Sequence, residues 1–421
     1  MIYKLYRFLS SSGKNLIKSH LYKRLSLGKE DSVRLSERMG NSDKDRPDGS
    51  LIWFHAASVG ESLSILPLIN RLLEQDDSLH ILVTTGTIAS ARMMQIKLPN
   101  RCIHQYIPLD VRDWAQSFLD HWRPNLSLWV EAEIWPNLIY ESHQRKIPLI
   151  RLNARVSDKS FRWWRFFRFI TADILEKFDL CFAQSHYDLE KLKKLGAKNI
   201  HYHGNLKYAS DPLPYVEEDL TSFRKSLGDR PVWVAASTHR GEEKIALDVH
   251  QKLKRLFPDI LTILIPRHIE RGNEINALIK EHHLISVCRS QKEPLMPETD
   301  IYLADTLGEM GLFYRASPIV FVGGSLVPIG GHNLIEPAQI GCALLHGNYM
   351  TNCLELARDF KERTAAIEVA DSHDLVTHIA HLLKHPHDLR GYQTRAQETS
   401  LAGKKALDLI LLDLKPYLED M

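Results

Sequence analysis

From residue 50 onward, apolar runs of strand length alternate with helical patterns at spacings of roughly 20 to 30 residues. No other feature of the chain restricts its fold as strongly. Leu51-Ile52-Trp53-Phe54 opens the series; "HILVTTG" precedes a helical pattern near 87–97, and "LSLWVEAE" precedes one opening at Pro136. "IPLIRLN" leads into a long aromatic helix, and "FDLCFAQS" into "YDLEKLKKLG". Such alternation is the sequence form of a doubly wound parallel sheet.

The pattern weakens over "NLKYASDPLPYVEED", residues 205–219, where prolines and a charge cluster suggest a linker. It restarts with "RPVWVAAST", "ILTILIPRH", "DIYLADT", "PIVFVGGS" and "CALLHGN". Two such series predict two Rossmann-like α/β domains facing a cleft, and 421 residues suffice for two full cores. The expected boundaries are a basic N-terminal helix over 1–30, a first domain over 31–208 and a second over 209–421. The last helices of the second are expected to pack back toward the first.

Composition is that of an ordinary soluble chain, 44% hydrophobic and 25% charged. The five cysteines form no C-x-x-C pair or tight cluster, which suits reduced thiols and argues against a disulfide framework or a zinc site. No apolar run approaches transmembrane length, and no compact apolar segment suggests a signal peptide. The net charge of +2 hides an asymmetry: residues 1–29 carry seven basic residues and no acid. Three readings of that segment stand. It is an interfacial helix with Ile2, Leu5, Tyr6, Leu9, Leu16 and Ile17 near one face, an organelle transit peptide, or a solvated helix packed on the first domain. In the interfacial reading, Tyr3, Tyr6 and Phe8 enter a headgroup boundary.

Ligands of open α/β sheets gather where strands end and helices begin, so polar residues just after the strands are the candidates. In "FHAASVGESL" the period changes at Ser58-Val59-Gly60-Glu61, which sets Glu61 in the first helical turn. There it is either a stabilising acid at the positive end of the helix dipole or a carboxylate displayed for chemistry. "WVEAEIWPN" brings Glu131 and Glu133 to a strand end, on one side by period-2 alternation, and "GNLK" places Lys207 at the domain junction. A base, a second carboxylate and a lysine can together deprotonate a hydroxyl beside an anionic leaving group.

The second domain carries "FVGGSLVPIGGHNLIEPA", where glycine pairs permit close ligand approach and Asn333 and Glu336 stand at a helix start with free N–H groups suited to phosphate. "DTLGEMGLFY" adds Gly308, Glu309 and Met310, with a carboxylate suited to ribose hydroxyls; "LIPRH" adds Arg267 and His268; "AASTHRGEE" adds Ser237, Thr238 and His239. Each has an alternative as a cap or surface ion pair, yet four such loops in one sheet fit a nucleotide-phosphate site. G-x-G-x-x-G and Walker spacings are absent. "SFRWWRFFRFI" spaces Arg162, Arg165 and Arg168 as one helical stripe, either the solvated face of a core helix or a contact for an anionic amphiphile. No nucleic-acid module accompanies it.

Taken in order, "FHAASVGE", "EAEIWPN", "LNARVS", "GNLK", "ASTHRGEE", "PRH", "DTLGEMGLFY" and "GGSLVPIGGHNLIEPA" resemble the 3-deoxy-D-manno-octulosonic acid (Kdo) transferases of lipopolysaccharide assembly, from about residue 33 to 345. The resemblance implies a GT-B glycosyltransferase: two Rossmann-like domains facing a central cleft, with CMP-Kdo in the second and a lipid A precursor in the first. By resemblance Glu61 matches the proton acceptor, and Glu131 and Lys207 match positions that stabilise the transition state. Pro266, Arg267, Gly308, Glu309, Met310, Asn333, Leu334, Ile335 and Glu336 match the CMP contacts. The expected activity is inverting, metal-independent transfer of Kdo from CMP-Kdo to lipid IVA, with no cofactor, no nucleic acid and no obligate protein partner. It is expected at the cytoplasmic face of the bacterial inner membrane, peripheral or anchored through the N-terminus. The alternatives are a GT-B transferase of another nucleotide sugar and a non-catalytic lipid-binding protein. Ala132 stands where threonine is usual in the family, and an N-terminus less continuously apolar than in many relatives favours a surface anchor.

Overall fold

A computed structural model describes residues 2–209 and 212–421, apart from the side chains of Ile2, Lys4 and Leu5. Those three belong to the expected N-terminal apolar and basic faces, which at these positions lie outside the described residues. The chain divides into two compact units, Met1–Ser210 with Ala402–Met421, and Asp211–Leu401.

The first unit is built on β1 (Leu51–His55), β2 (His80–Thr85), β3 (Cys102–Tyr106), β4 (Leu126–Val130), β5 (Leu149–Ala154), β6 (Leu180–Ala183) and β7 (Ile200–His201). They form one seven-stranded sheet in the order β3-β2-β1-β4-β5-β6-β7, every pair parallel. β1 and β4 are buried along their whole length, as a sheet covered by helices on both faces requires. One face packs Ile52, Phe54, Leu128 and Ile150 against the helix Leu66–Gln75 and against Leu407, Ile410 and Leu414 near the C-terminus. The other packs Trp53, Trp129 and Leu149 against Phe118, Trp122 and Leu138.

The second unit repeats the plan with β8 (Val232–Thr238), β9 (Leu261–Pro266), β10 (Ser286–Cys288), β11 (Ile301–Leu303), β12 (Ile319–Val322), β13 (Ala343–His346) and β14 (Ala366–Glu368). Its order is β10-β11-β9-β8-β12-β13-β14, again all parallel. The order reverses at the β1/β4 boundary in the first sheet and at β8/β12 in the second, and at such points the loops diverge and leave a crevice. The ten strands that the apolar runs signal are interior; β3, β7, β10 and β14, which they do not, are the four edges.

Two expectations are corrected. The aromatic helix after β5 is not continuous: it runs Asp158–Phe166, breaks at Phe167 and resumes as Arg168–Leu175, so Arg168 leaves the stripe of Arg162 and Arg165. The N-terminal segment forms helices Ile2–Ser12 and Lys14–Ser26. Its tyrosines, expected at a headgroup boundary, turn to the protein. Tyr3 stacks on Tyr140 with ring centroids 3.5 Å apart, and the Tyr6 hydroxyl donates to Asp110 at 2.7 Å. Lys14 pairs with Asp113 at 2.7 Å, while Phe8, Leu9 and Leu16 remain exposed.

Candidate functional site

In the first unit the candidates converge on the β1/β4 switch point. Ser58 is the N-cap of the helix Val59–Ser64 and accepts a 3.4 Å hydrogen bond from the Glu61 amide. The Glu61 carboxylate folds back, accepting from the Ala57 amide at 2.8 Å and the Ser58 hydroxyl at 2.9 Å. Glu61 at N3 thus braces the capped turn through the Ser58 hydroxyl and the preceding Ala57 amide, so the stabilising role open in the sequence is realised. It does not exhaust Glu61. Burial, and next the nearby Glu131 charge, raise its pKa above the ordinary value despite those two hydrogen bonds. A side chain built on Gly60 would meet nothing within 4 Å, so the space over this turn is open.

Glu131 is presented differently. β4 ends at Val130, and Glu131 takes a left-handed backbone with φ 57°, an uncommon conformation for a residue with a side chain. Its carbonyl is gripped by the fully buried Arg151 guanidinium through Nε at 3.1 Å and Nη2 at 2.8 Å. Its carboxylate pairs with Lys207 Nζ at 2.6 Å. Asn153, also at positive φ, accepts from the Leu206 amide at 3.2 Å, and Asn205 accepts from the Lys207 amide at 2.9 Å. These bonds bring "GNLK" to the end of β5. The alternation that set Glu133 beside Glu131 fails because the strand has already ended. Glu133 instead accepts from Trp135 Nε1 at 2.6 Å and lies 3.1 Å from His55 Nε2. Burial alone would raise its carboxyl; the His55 and Trp135 interactions outweigh this and lower it. Glu61, Glu131 and Lys207 thus form the group, and Glu133 is a partner of His55.

In the second unit the loops after β11, β9, β8 and β12 follow four adjacent strands, so the proposed nucleotide residues lie along one carboxyl edge. Here several backbone amides are already engaged within the protein. Glu242, 1% exposed, aims its carboxylate into the glycine-rich loop and accepts from the amides of Gly324 at 2.6 Å, Ser325 at 3.0 Å and Leu326 at 3.0 Å. It also accepts from the His239 amide at 3.0 Å. An internal carboxylate therefore occupies the concavity that an anion would take. The amide of Ile335, at the start of the helix Ile335–Ile340, is taken by Asn333 Oδ1 at 2.9 Å.

Side chains remain for ligand recognition. Pro266 closes β9, and Arg267 is held there by its amide bond to the Thr238 carbonyl at 3.0 Å. The Arg267 guanidinium is exposed and lowers the pKa of Glu336, which burial raises more strongly. His239 and His332 approach through their Nε2 atoms at 2.8 Å, and His268 lies edge-on to His239 at 5.6 Å. Burial lowers the His332 pKa to about 4, helped by His239 and Arg267. Leu334 is buried behind this group. Gly308, at φ 83°, has open space around it, and Met310 begins the helix Met310–Ala316. Glu309, expected free for hydroxyls, is held by Arg289 Nη2 at 2.5 Å and by the Thr306 hydroxyl; the Arg289 bond lowers its pKa.

Sequence reasoning missed Glu242, His332, Arg289 and Asn153 as organisers of these loops. The signal for Glu242 was present in "THRGEE", an acid in the first turn of a helix beside a glycine-rich loop.

The two parallel sheets with helix-covered faces are the architecture of GT-B glycosyltransferases. At the level of fold alone, a glycosyltransferase from Rickettsia africae aligns with TM-score 0.55 and 13% identity, covering 89% of this chain and 100% of that one. Residues 33–210 match the family model for 3-deoxy-D-manno-octulosonic-acid transferase (kdotransferase). The chain is 36% identical to the 3-deoxy-D-manno-octulosonic acid transferase of Rickettsia felis, over 92% of its own length and 84% of that protein's. It is 35% identical to the probable mitochondrial 3-deoxy-D-manno-octulosonic acid transferase of Arabidopsis thaliana, over 94% and 91% of the two chains. The chain belongs to the Kdo transferase family, and its activity is glycosyl transfer of Kdo.

Proposed function

We propose that the protein transfers Kdo from CMP-Kdo to a hydroxyl of a lipid A precursor, lipid IVA, with inversion and without a metal in the transfer step. The observation that carries this reading is the half-buried Glu61. Its pKa is raised by burial and by Glu131, it is fixed by two hydrogen bonds, and it faces the open space over Gly60. A carboxylate held there takes the acceptor's hydroxyl proton as the sugar's anomeric carbon develops oxocarbenium character, and its raised pKa improves it as a base. Lys207, held by Glu131, is assigned to stabilising charge beside Glu61 in the first unit, and Arg267 is assigned to the nucleotide phosphate in the second. Pro266, Gly308 to Met310 and Asn333 to Glu336 are assigned to CMP.

The acceptor reading draws on a surface of the first unit. Trp163, Phe166, Phe167 and Phe169 are exposed among Arg162, Arg165 and Arg168, beside a recess of about 650 Å³ lined by Ile134, Trp164 and Ile170. Apolar rings among guanidinium groups suit acyl chains attached to a phosphorylated sugar. Among the described residues no helix is long and apolar enough to cross a membrane. We assign the protein to the cytoplasmic face of the bacterial inner membrane through this surface and the basic N-terminal helices. Incubation with CMP-Kdo and lipid IVA should give a product heavier by Kdo in mass spectrometry, and a UDP-sugar should give none. Transfer from the UDP-sugar instead would overturn the donor assignment.

A further inference from the structure

His201, His203 and Asp413, none of them given a role above, come together at the outer edge of the first sheet. His201 ends β7, and His203 follows two residues later. Both approach a single carboxylate oxygen: His201 Nδ1 lies 2.5 Å and His203 Nε2 2.8 Å from Asp413 Oδ2. The ligand-type atoms of all three residues lie within 4.8 Å of one another. Phe182 braces the rings, its centroid 6.1 Å from that of His201 and 5.5 Å from that of His203, with the two imidazoles 74° apart.

We propose that His201, His203 and Asp413 bind one first-row divalent transition-metal ion, Zn²⁺ by preference, as a clamp between the C-terminal helix and edge strand β7. Tetrahedral Zn²⁺ with bonds of about 2.0–2.1 Å spaces its ligand atoms by about 3.3–3.4 Å. The two short contacts open by less than about 1 Å to reach that spacing, a rotation of side chains rather than a movement of backbone. Two imidazoles and one carboxylate are a donor set for zinc and its neighbours in the first transition row, while Mg²⁺ and Ca²⁺ prefer oxygen. The side chains are 43%, 17% and 25% exposed, so water reaches the remaining coordination position.

The clamp has a mechanical purpose. The chain leaves the first unit at Ser210 and returns at Ala402, and Asp413 is 210 residues from His203. Leu407, Ile410 and Leu414 bury the apolar face of the returning helix, and the ion fixes its polar face. Closing so long a loop stabilises the folded chain by restricting the unfolded one. Lys207 lies four residues beyond His203, so the clamp also steadies the segment that delivers the lysine to Glu131.

The test uses the full-length chain, stripped with a chelator and titrated with Co²⁺. One equivalent should produce the visible absorption of tetrahedral cobalt, which Zn²⁺ then displaces, and saturating Zn²⁺ should raise Tm. Loss of second-shell partners already weakens metal sites by about 10–100-fold, so His203→Ala and Asp413→Asn should each weaken binding at least about 100-fold. Far-UV circular dichroism should confirm their fold, and His203→Gln replaces either variant that does not fold. The double variant His381→Ala, His385→Ala, in a separate histidine-rich stretch, should bind as wild type does. Wild-type protein with neither the cobalt band nor a Zn²⁺-dependent Tm shift overturns the site, as does undiminished binding in folded His203 and Asp413 variants.

Discussion

The two units share a parallel sheet of the same kind and the same reversal of strand order, yet they use the reversal point in opposite ways. In the first, the turn after β1 keeps open space over Gly60 and leaves Glu61 half exposed beside the Glu131–Lys207 pair. In the second, amides of the glycine-rich loop are satisfied from within, because Glu242 accepts from Gly324, Ser325 and Leu326. A glycine-rich loop is therefore no measure of anion binding until its amides are accounted for. What the second unit offers a ligand is side-chain chemistry on a rigid loop, whereas the first offers a tuned acid pair.

That contrast breaks most directly at Glu242. Glu242→Ala strands two buried and two part-buried amides at once, and should cost at least about 3 kcal/mol at the usual penalty for unsatisfied buried donors. For a unit of this size, that corresponds to a fall in Tm of roughly 10 °C. Glu61→Ala removes a half-buried brace on the Ser58-capped turn and should cost only about 1 kcal/mol. Calorimetric melts of both variants check the difference. Equal destabilisation would mean that both carboxylates are structural.

Catalysis should invert the ranking. Glu61→Gln keeps the shape of the turn and removes the base, so turnover of Kdo transfer should fall about 100-fold or more while CMP binding stays nearly unchanged. The wild-type rate should fall as pH drops through the Glu61 pKa, which burial and Glu131 place above the ordinary glutamate value. The same shift has a stability sign. A folded carboxyl that holds its proton more tightly than the unfolded one favours the folded chain at low pH. That contribution is lost as pH rises through the folded pKa. Turnover within a few-fold of wild type in Glu61→Gln would leave capping as the residue's whole role.

How much of this was legible in the sequence follows from burial. Strands covered on both faces are written as mostly apolar runs: β12 is wholly apolar, β1 is apolar up to His55, β8 up to Ser237, and β4 except at Ser127. Edge strands need no such run: β7 is two residues long, and β3, "CIHQY", is half polar. The carboxylates were legible by position, because a charged residue directly after an apolar run has little choice but a loop at the strand end. Their partners were not. That Glu131 meets Lys207 and Glu133 meets His55 depends on a single left-handed residue, which no periodicity announces. The partners of Glu242 in the glycine-rich loop were hidden by distance along the chain, since the Gly324, Ser325 and Leu326 amides lie more than 80 residues away.

A smaller effect sharpens the second unit's side of the comparison. With the Gly324, Ser325, Leu326 and Ile335 amides occupied, the proposed phosphate contact rests on the exposed Arg267, near Glu336. Arg267→Ala should weaken CMP binding about 10-fold, or about 1.4 kcal/mol, without lowering Tm. Isothermal titration measures this. Unchanged affinity would return phosphate binding to backbone groups despite Glu242.

The smallest expected effect concerns the surface that sets the first unit apart, the broken aromatic helix. A helix serving only the core would turn its rings inward, but Phe166 is 82% and Phe169 90% exposed, on either side of the break at Phe167. The break itself matters. An unbroken helix would keep Arg168 in line with Arg162 and Arg165, whereas the interruption ends the first helix with Phe166 and sets Phe169 in the opening turn of the next. Replacing two exposed rings by serine leaves the core untouched, so Phe166→Ser with Phe169→Ser should change stability by no more than about 0.5 kcal/mol. Binding to anionic liposomes should fall several-fold, and the remaining binding should depend more steeply on salt, because the arginines and the basic N-terminal helices then act alone. Removing residues 1–29 should have the complementary result, weaker binding that is less sensitive to salt. Co-sedimentation at two ionic strengths distinguishes the two losses. If the double serine variant sediments as wild type does at both, the exposed rings do not meet the membrane, and the basic helices alone carry the attachment.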